Sequence, residues 1–135
     1  MGKIYDYVLI MQSNPTKTEL VIDDKIIVTN LIVAEKMLTR MVGLLKYGSL
    51  PAGSAMLIKP CGSIHTVGMR FDLDVIFVDR EMRVVRTVCG VKPNRFVLGG
   101  RGASVTVEMQ SGWFDMSQVK IGHKLIFREE KASQG

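Results

Sequence analysis

Cysteine is scarce in this chain: Cys61 and Cys89 are the two among 135 residues. Two cysteines cannot build a disulfide framework, and they form no Cys-x-x-Cys pair, so reduced thiols in a reducing compartment are expected. Long apolar runs are also lacking. Nothing approaches the ~20 apolar residues of a membrane span. The stretch from Ile4 to Met11 is short, is interrupted by Asp6 and is not followed by a small-residue cleavage site. Asp6 also stands where a myristoylation signal needs Ser or Thr. A cytoplasmic location is the expectation. The two histidines, His65 and His123, lack His-x-x-x-His spacing, and together with the cysteines they make no zinc signature. No metal and no cofactor are expected, because a mixed site drawing on Asp72, Asp74 or Glu108 would be unspecific.

Hydrophobic residues make up 47% and charged residues 23% of the chain, the balance of an ordinary globular protein rather than a disordered one. The length is that of one domain with a self-supporting core. The net charge of +5 and a pI near 9.4 permit contact with phosphates or acidic lipids without demanding it.

Hydropathy patterning divides the chain into an N-terminal extension (1–24), one β-rich domain (25–128) and a polar C-terminal tail (129–135). Asn14-Pro15 breaks any helix in the extension. Lys25 to Val33 is rich in Ile and Val and predicts a strand. From Ala34 the period changes: Met37, Leu38, Met41, Leu44 and Leu45 mark one face of an amphipathic helix over about 34–46. Further strands are predicted at 55–59, 73–78, 83–89, 104–109 and 124–128. Residues 73–78 look buried on both faces, and Val105, Val107 and Met109 point inward. Trp113 and Phe114 are expected to plug one end of the core. Several short strands and one helix predict a mainly β domain, a β-sandwich, jelly roll or barrel.

The densest chemistry lies in Cys61-Gly62-Ser63-Ile64-His65-Thr66-Val67-Gly68-Met69-Arg70-Phe71-Asp72-Leu73-Asp74. The glycines and the preceding Pro60 make part of it loop, where functional groups tend to be mounted. Three chemistries fit. Cys61 as thiolate with His65 as base and Asp72 or Asp74 as orienter would make a nucleophilic site. A polar pocket of His65, Thr66, Arg70, Asp74 and Glu108, with Cys61 beside it, would bind a small ligand. Alternatively, the polar groups satisfy their own loops and the domain is structural or binds a protein. The basic stretch of Lys92, Arg95 and Arg101 around Leu98-Gly99-Gly100-Arg101-Gly102 is not a phosphate-binding Walker loop, which would end in Gly-Lys-Ser or Gly-Lys-Thr. Single-strand binders add a row of aromatics, and only Phe96 is near these arginines, so nucleic acid is the less expected partner.

The central motif, Cys61-x-Ser63-Ile64-His65-Thr66-x-Gly68-Met69-Arg70-Phe71-x-Leu73-Asp74-Val75-x-Phe77-Val78-Asp79, resembles that of the family catalogued as domain of unknown function 192. Ala34, Arg40 and Gly43-Leu44-Leu45 resemble the family's opening helix, and Ala55-Met56-Leu57-Ile58 its next strand. Pro93, Ala103, Val105, Glu108 and Gly112 also fall on its pattern. The resemblance spans about 25–128 and implies a compact β-sandwich or jelly-roll-like fold with a helix, but no activity. Some members carry Trp-Met-x-Asn-Thr in this motif, so the resemblance implies that His65 and Thr66 line a feature whose chemistry differs between branches. Met82 stands where the family's hairpin turn has Gly, which predicts a different or strained turn. Gly122-His123 stands for Gly-Asp, replacing a turn-capping carboxylate by imidazole.

The leading expectation is a small-ligand binding domain, its ligand anionic or carbohydrate-like, held at His65, Thr66, Arg70, Asp74, Glu108 and Cys61. The alternatives are an enzyme using Cys61 and His65 or a metal, and a structural or interaction domain. A monomer is expected, with a small molecule or a protein as partner.

Overall fold

The computed structural model describes residues 18–22, 25–28, 30–34, 54–59 and 62–129. The helix expected over 34–46 lies outside them, apart from Ala34, which ends a strand. Among the described residues ten strands follow in chain order: β1 Thr18–Ile22, β2 Lys25–Val28, β3 Asn30–Ala34, β4 Ser54–Ile58, β5 Ser63–His65, β6 Leu73–Val78, β7 Val84–Val91, β8 Phe96–Leu98, β9 Val105–Gln110 and β10 Ile126–Glu129. They form a five-stranded sheet in the order β3-β4-β9-β6-β7, a three-stranded sheet β10-β1-β2 and a two-stranded ribbon β5-β8. The β3-β4 pair is parallel and every other pair is antiparallel. These sheets do not close into a barrel.

The layering follows from alternation along the strands. Ala55 and Leu57 of β4, Ile76 and Val78 of β6, and Val105, Val107 and Met109 of β9 form one apolar face of the large sheet. Leu20, Ile22 and Phe127 of the small sheet belong to the same core cluster, so that sheet covers this face. Met56, Ile58, Leu73, Val75, Phe77 and Val91 line the opposite face, where Ile64 of β5 and Val97 of β8 join them. All six residues of β6, Asp74 included, are therefore buried, as expected for a strand covered on both faces. A lone two-stranded ribbon is marginal in water, and β5-β8 persists because its inner side chains complete this second core.

Several boundaries differ from the sequence reading. Thr18–Ile22, expected in the N-terminal extension, is the central strand of the small sheet, pairing with both β2 and β10. The single strand expected over 25–33 is two, β2 and β3, which serve different sheets. Met82 adopts the left-handed conformation (φ 65°) in its turn, as the replacement of Gly predicted. That conformation costs a non-glycine residue roughly 1–2 kcal/mol. Burial of the Met82 side chain in the first core offsets it. His123 does cap its turn, the ring Nδ1 accepting the Lys120 amide at 3.0 Å.

Candidate functional site

The residues gathered in the central motif are distributed by the fold to different tasks. Thr66 directly follows β5 and is fully buried. Its Oγ1 donates to the Lys92 carbonyl (2.7 Å) and accepts from the Arg95 amide (2.9 Å). Its backbone N–H donates to the Arg95 carbonyl (2.8 Å), and its carbonyl accepts from Met69 and Asn94 (3.0 Å each). The hydroxyl thus knots the loop after β5 to the loop before β8. Asp74, also buried, lies on β6 opposite Met109. Its Oδ1 accepts from the Gly90 amide and the Ser111 hydroxyl, both at 2.9 Å, and its Oδ2 from the Gly112 amide at 3.4 Å. One carboxylate therefore pins the distorted end of β7 and the turn after β9.

Glu108 is fully buried, in register with Met56 of β4 and Val75 of β6. Residues directly opposite across a ladder share a face, so Glu108 faces the second core while Asp74, one residue before Val75, faces the first. The expected pocket therefore does not assemble from these two carboxylates. Arg70 is exposed in the loop between β5 and β6, and Asp72 in the same loop meets Lys92 at 3.4 Å. Cys61 lies outside the described residues. Cys89 is exposed on β7 as a free thiol, and partial burial followed by the negative charge of Asp74 pushes its pKa up, the reverse of an activated nucleophile. Among the described residues no three His, Cys, Asp or Glu side chains converge as a metal would require.

His65 remains, and it leads to the surface the sequence reading missed. β5 and β8 pair as Ser63 with Leu98, Ile64 with Val97 and His65 with Phe96. Backbone hydrogen bonds extend this ladder at both ends, Gly99 N–H to the Gly62 carbonyl (2.9 Å) and Thr66 N–H to the Arg95 carbonyl. Ile64, Val97 and the two glycines face inward. A Cβ on Gly99 would come within 2.5 Å of the Phe77 ring, and one on Gly62 within 2.7 Å of the Ala103 carbonyl, so only glycine lets the ribbon sit this close to the large sheet. The outer face then carries His65, Phe96 and Leu98, and Val67 follows on the same chain. Phe96 is 80% exposed and Leu98 69%. The His65 and Phe96 rings lie 5.9 Å apart and tilted by 51°.

The strand β8 of this face lies in an acid-free stretch of the chain, although Lys92 of that stretch is paired with Asp72. Residues 82–101 contain five cations, Arg83, Arg86, Lys92, Arg95 and Arg101, and no carboxylate. With 18 cations and 13 acids in the whole chain, the remainder balances at 13 of each, so this segment carries the entire net charge. Arg86 donates to the Leu98 carbonyl, which sets its guanidinium beside the ribbon, while Arg95 donates to the carbonyls of Pro93 and Asn94. Arg86, Phe96, Leu98 and Val67 were absent from the sequence-derived site. The acid-free run was the legible clue, together with Phe96-Val97-Leu98, whose middle residue alone turns inward.

One open depression of about 490 Å³ is lined by Asp79, Arg80, Glu81, Gly102, Ala103 and Ser104. Asp79 Oδ1 is occupied by the Glu81 and Arg83 amides (2.9 Å each), and the lining mixes both signs of charge. It offers a ligand less than the ribbon does.

A family model described as domain of unknown function 192, uncharacterized ACR, matches residues 18–127. No curated protein matches the chain. Two solved structures share the fold. A protein of unknown function from Novosphingobium aromaticivorans DSM 12444 superposes with a TM-score of 0.67 at 17% identity, covering 81% of this chain and 82% of its own. A protein from Sinorhizobium meliloti 1021 named as a "putative transcription regulator" also gives 0.67, at 15% identity, covering 85% of this chain and 97% of its own. At these identities the likeness is one of fold alone.

Proposed function

This chain belongs to the domain of unknown function 192 family, and from that premise we propose that it is a binding domain that takes an anionic ligand on the outer face of the β5-β8 ribbon. The observation that carries this reading is an exposed apolar face set in a segment that holds the whole net positive charge. Single exposed apolar residues are ordinary, but neighbouring large ones on one rigid face mark recognition surfaces. Cations clustered without intervening carboxylates raise the local concentration of anions. The ladder is closed at both ends by hydrogen bonds, so little ordering cost falls on binding. His65 keeps a role from the sequence-derived site, as the ring packed beside Phe96, whereas Thr66 ties the loops that flank the ribbon and Asp74 pins the end of β7 and the turn after β9. A cytoplasmic location belongs to the same reading and accords with a free thiol at Cys89; no described helix is long and apolar enough to cross a membrane.

The test is a titration of isotope-labelled protein with inorganic polyphosphate at low salt, followed by amide chemical shifts. Shifts concentrated at residues 63–67 and 95–98 are expected. No shifts, or shifts centred on the depression at Asp79 and Ser104, would overturn the assignment.

A further inference from the structure

We infer that the ligand of the β5-β8 ribbon is single-stranded nucleic acid, its bases stacked on Phe96 and its phosphates held by the surrounding arginines; the inference rests on the anionic-ligand reading above. A lone aromatic beside arginines was too little to support this from sequence. The fold changes that count. It places the His65 ring against one side of Phe96 and leaves the rest of Phe96 open to solvent. Leu98 lies two residues further along the same strand face, about 6.8 Å away, and gives a neighbouring base a second apolar seat. Aromatic rings on a flat strand surface bind bases in any sequence, because every base has a π-face.

The cations are arranged for a chain rather than a compact anion. Arg95 lies at one end of the ribbon and Arg101 beyond the other, two residues after Gly99, with Arg86 at the Leu98 carbonyl between them. The Arg95 guanidinium folds onto its own loop carbonyls instead of joining the others around one point. Cations set before, beside and after one strand suit an extended polyanion better than a compact one. A duplex keeps its base faces stacked inside and offers nothing for Phe96, so the platform selects unpaired strands.

The experiment is fluorescence anisotropy of the full chain with fluorescein-labelled twelve-nucleotide oligouridine and oligothymidine, across a salt series. The expected result is single-strand binding whose log affinity falls against log salt with a slope of about −2, the value for three phosphates neutralised on a single strand. Phe96→Ala should weaken it roughly 10- to 100-fold, without moving the melting temperature, and Phe96→Tyr should retain it. Equal affinity for an abasic strand of the same length, equal affinity for duplex, or uptake by phosphatidylserine vesicles without oligonucleotide binding would each overturn the inference. In those cases polyphosphate shifts at the ribbon would leave the anionic-ligand reading standing, whereas loss of both polyphosphate and oligonucleotide binding removes both.

Discussion

The stretch around Thr66 and Asp74 and the ribbon formed by β5 and β8 lie side by side, yet their side chains are put to opposite uses. Thr66 and Asp74 are polar, buried and bonded to backbone amides, a carbonyl and a hydroxyl of the surrounding loops. Phe96 and Leu98 are apolar and exposed, although the same fold buries Ile64 and half-buries Val97 from the same two strands. A buried donor or acceptor left unmade costs about 1–3 kcal/mol, so irregular loops draw in hydroxyls and carboxylates for stability alone. Clustered polar chemistry in a loop is therefore weak grounds for a site. An apolar face that folding leaves in water, when its neighbours were buried, asks for a different explanation.

Substitutions can break this contrast. Asp74→Ala strips the acceptor from Gly90, Ser111 and Gly112, and should lower unfolding stability by roughly 4 kcal/mol in urea titrations. A loss below about 1 kcal/mol would mean that the carboxylate is kept for something other than the fold. Thr66→Val preserves volume but strands the Lys92 carbonyl and the Arg95 amide, with an expected loss of about 2–3 kcal/mol. Gly99→Ala pushes a methyl into Phe77, Ala103 and the Gly62 carbonyl. It should cost about 1–3 kcal/mol and speed amide exchange selectively in residues 63–65 and 96–98, because the ribbon must lift. Unchanged exchange there would show that the ribbon is not seated by its glycines. The smallest effect concerns Cys89: its raised pKa leaves less thiolate at neutral pH, so it should alkylate more slowly than free cysteine.

Much of the fold was legible in the sequence where a strand carries clear alternation or a mostly apolar run, whereas the five-residue β1 stood in the expected extension and β2 and β3 read as one strand. β6 and β9 carry such a pattern, and the inward set Val105, Val107 and Met109 is the one observed. Strands of three residues carry too little pattern, so β5 and β8 read as loop. Partners distant in sequence are not legible either. Asp74 meets Gly90, Ser111 and Gly112, which are 16, 37 and 38 positions away. Register decided the rest: Glu108 opposite Val75 and Asp74 opposite Met109 put two candidate carboxylates on different faces. Their residue types gave no hint of that separation. Among the described residues of the sequence-derived site, His65 is the one on the exposed face, and its meaning came from Phe96, thirty-one positions along the chain and paired to it across the ribbon.

The contrast is tested most directly in a single variant, Phe96→Ser, by measuring its thermal unfolding and its oligouridine affinity side by side. A melting temperature at or slightly above that of the parent, with affinity lost at least tenfold, is the result predicted for an exposed recognition face. A lowered melting temperature with affinity intact would contradict it and make Phe96 part of the fold's support.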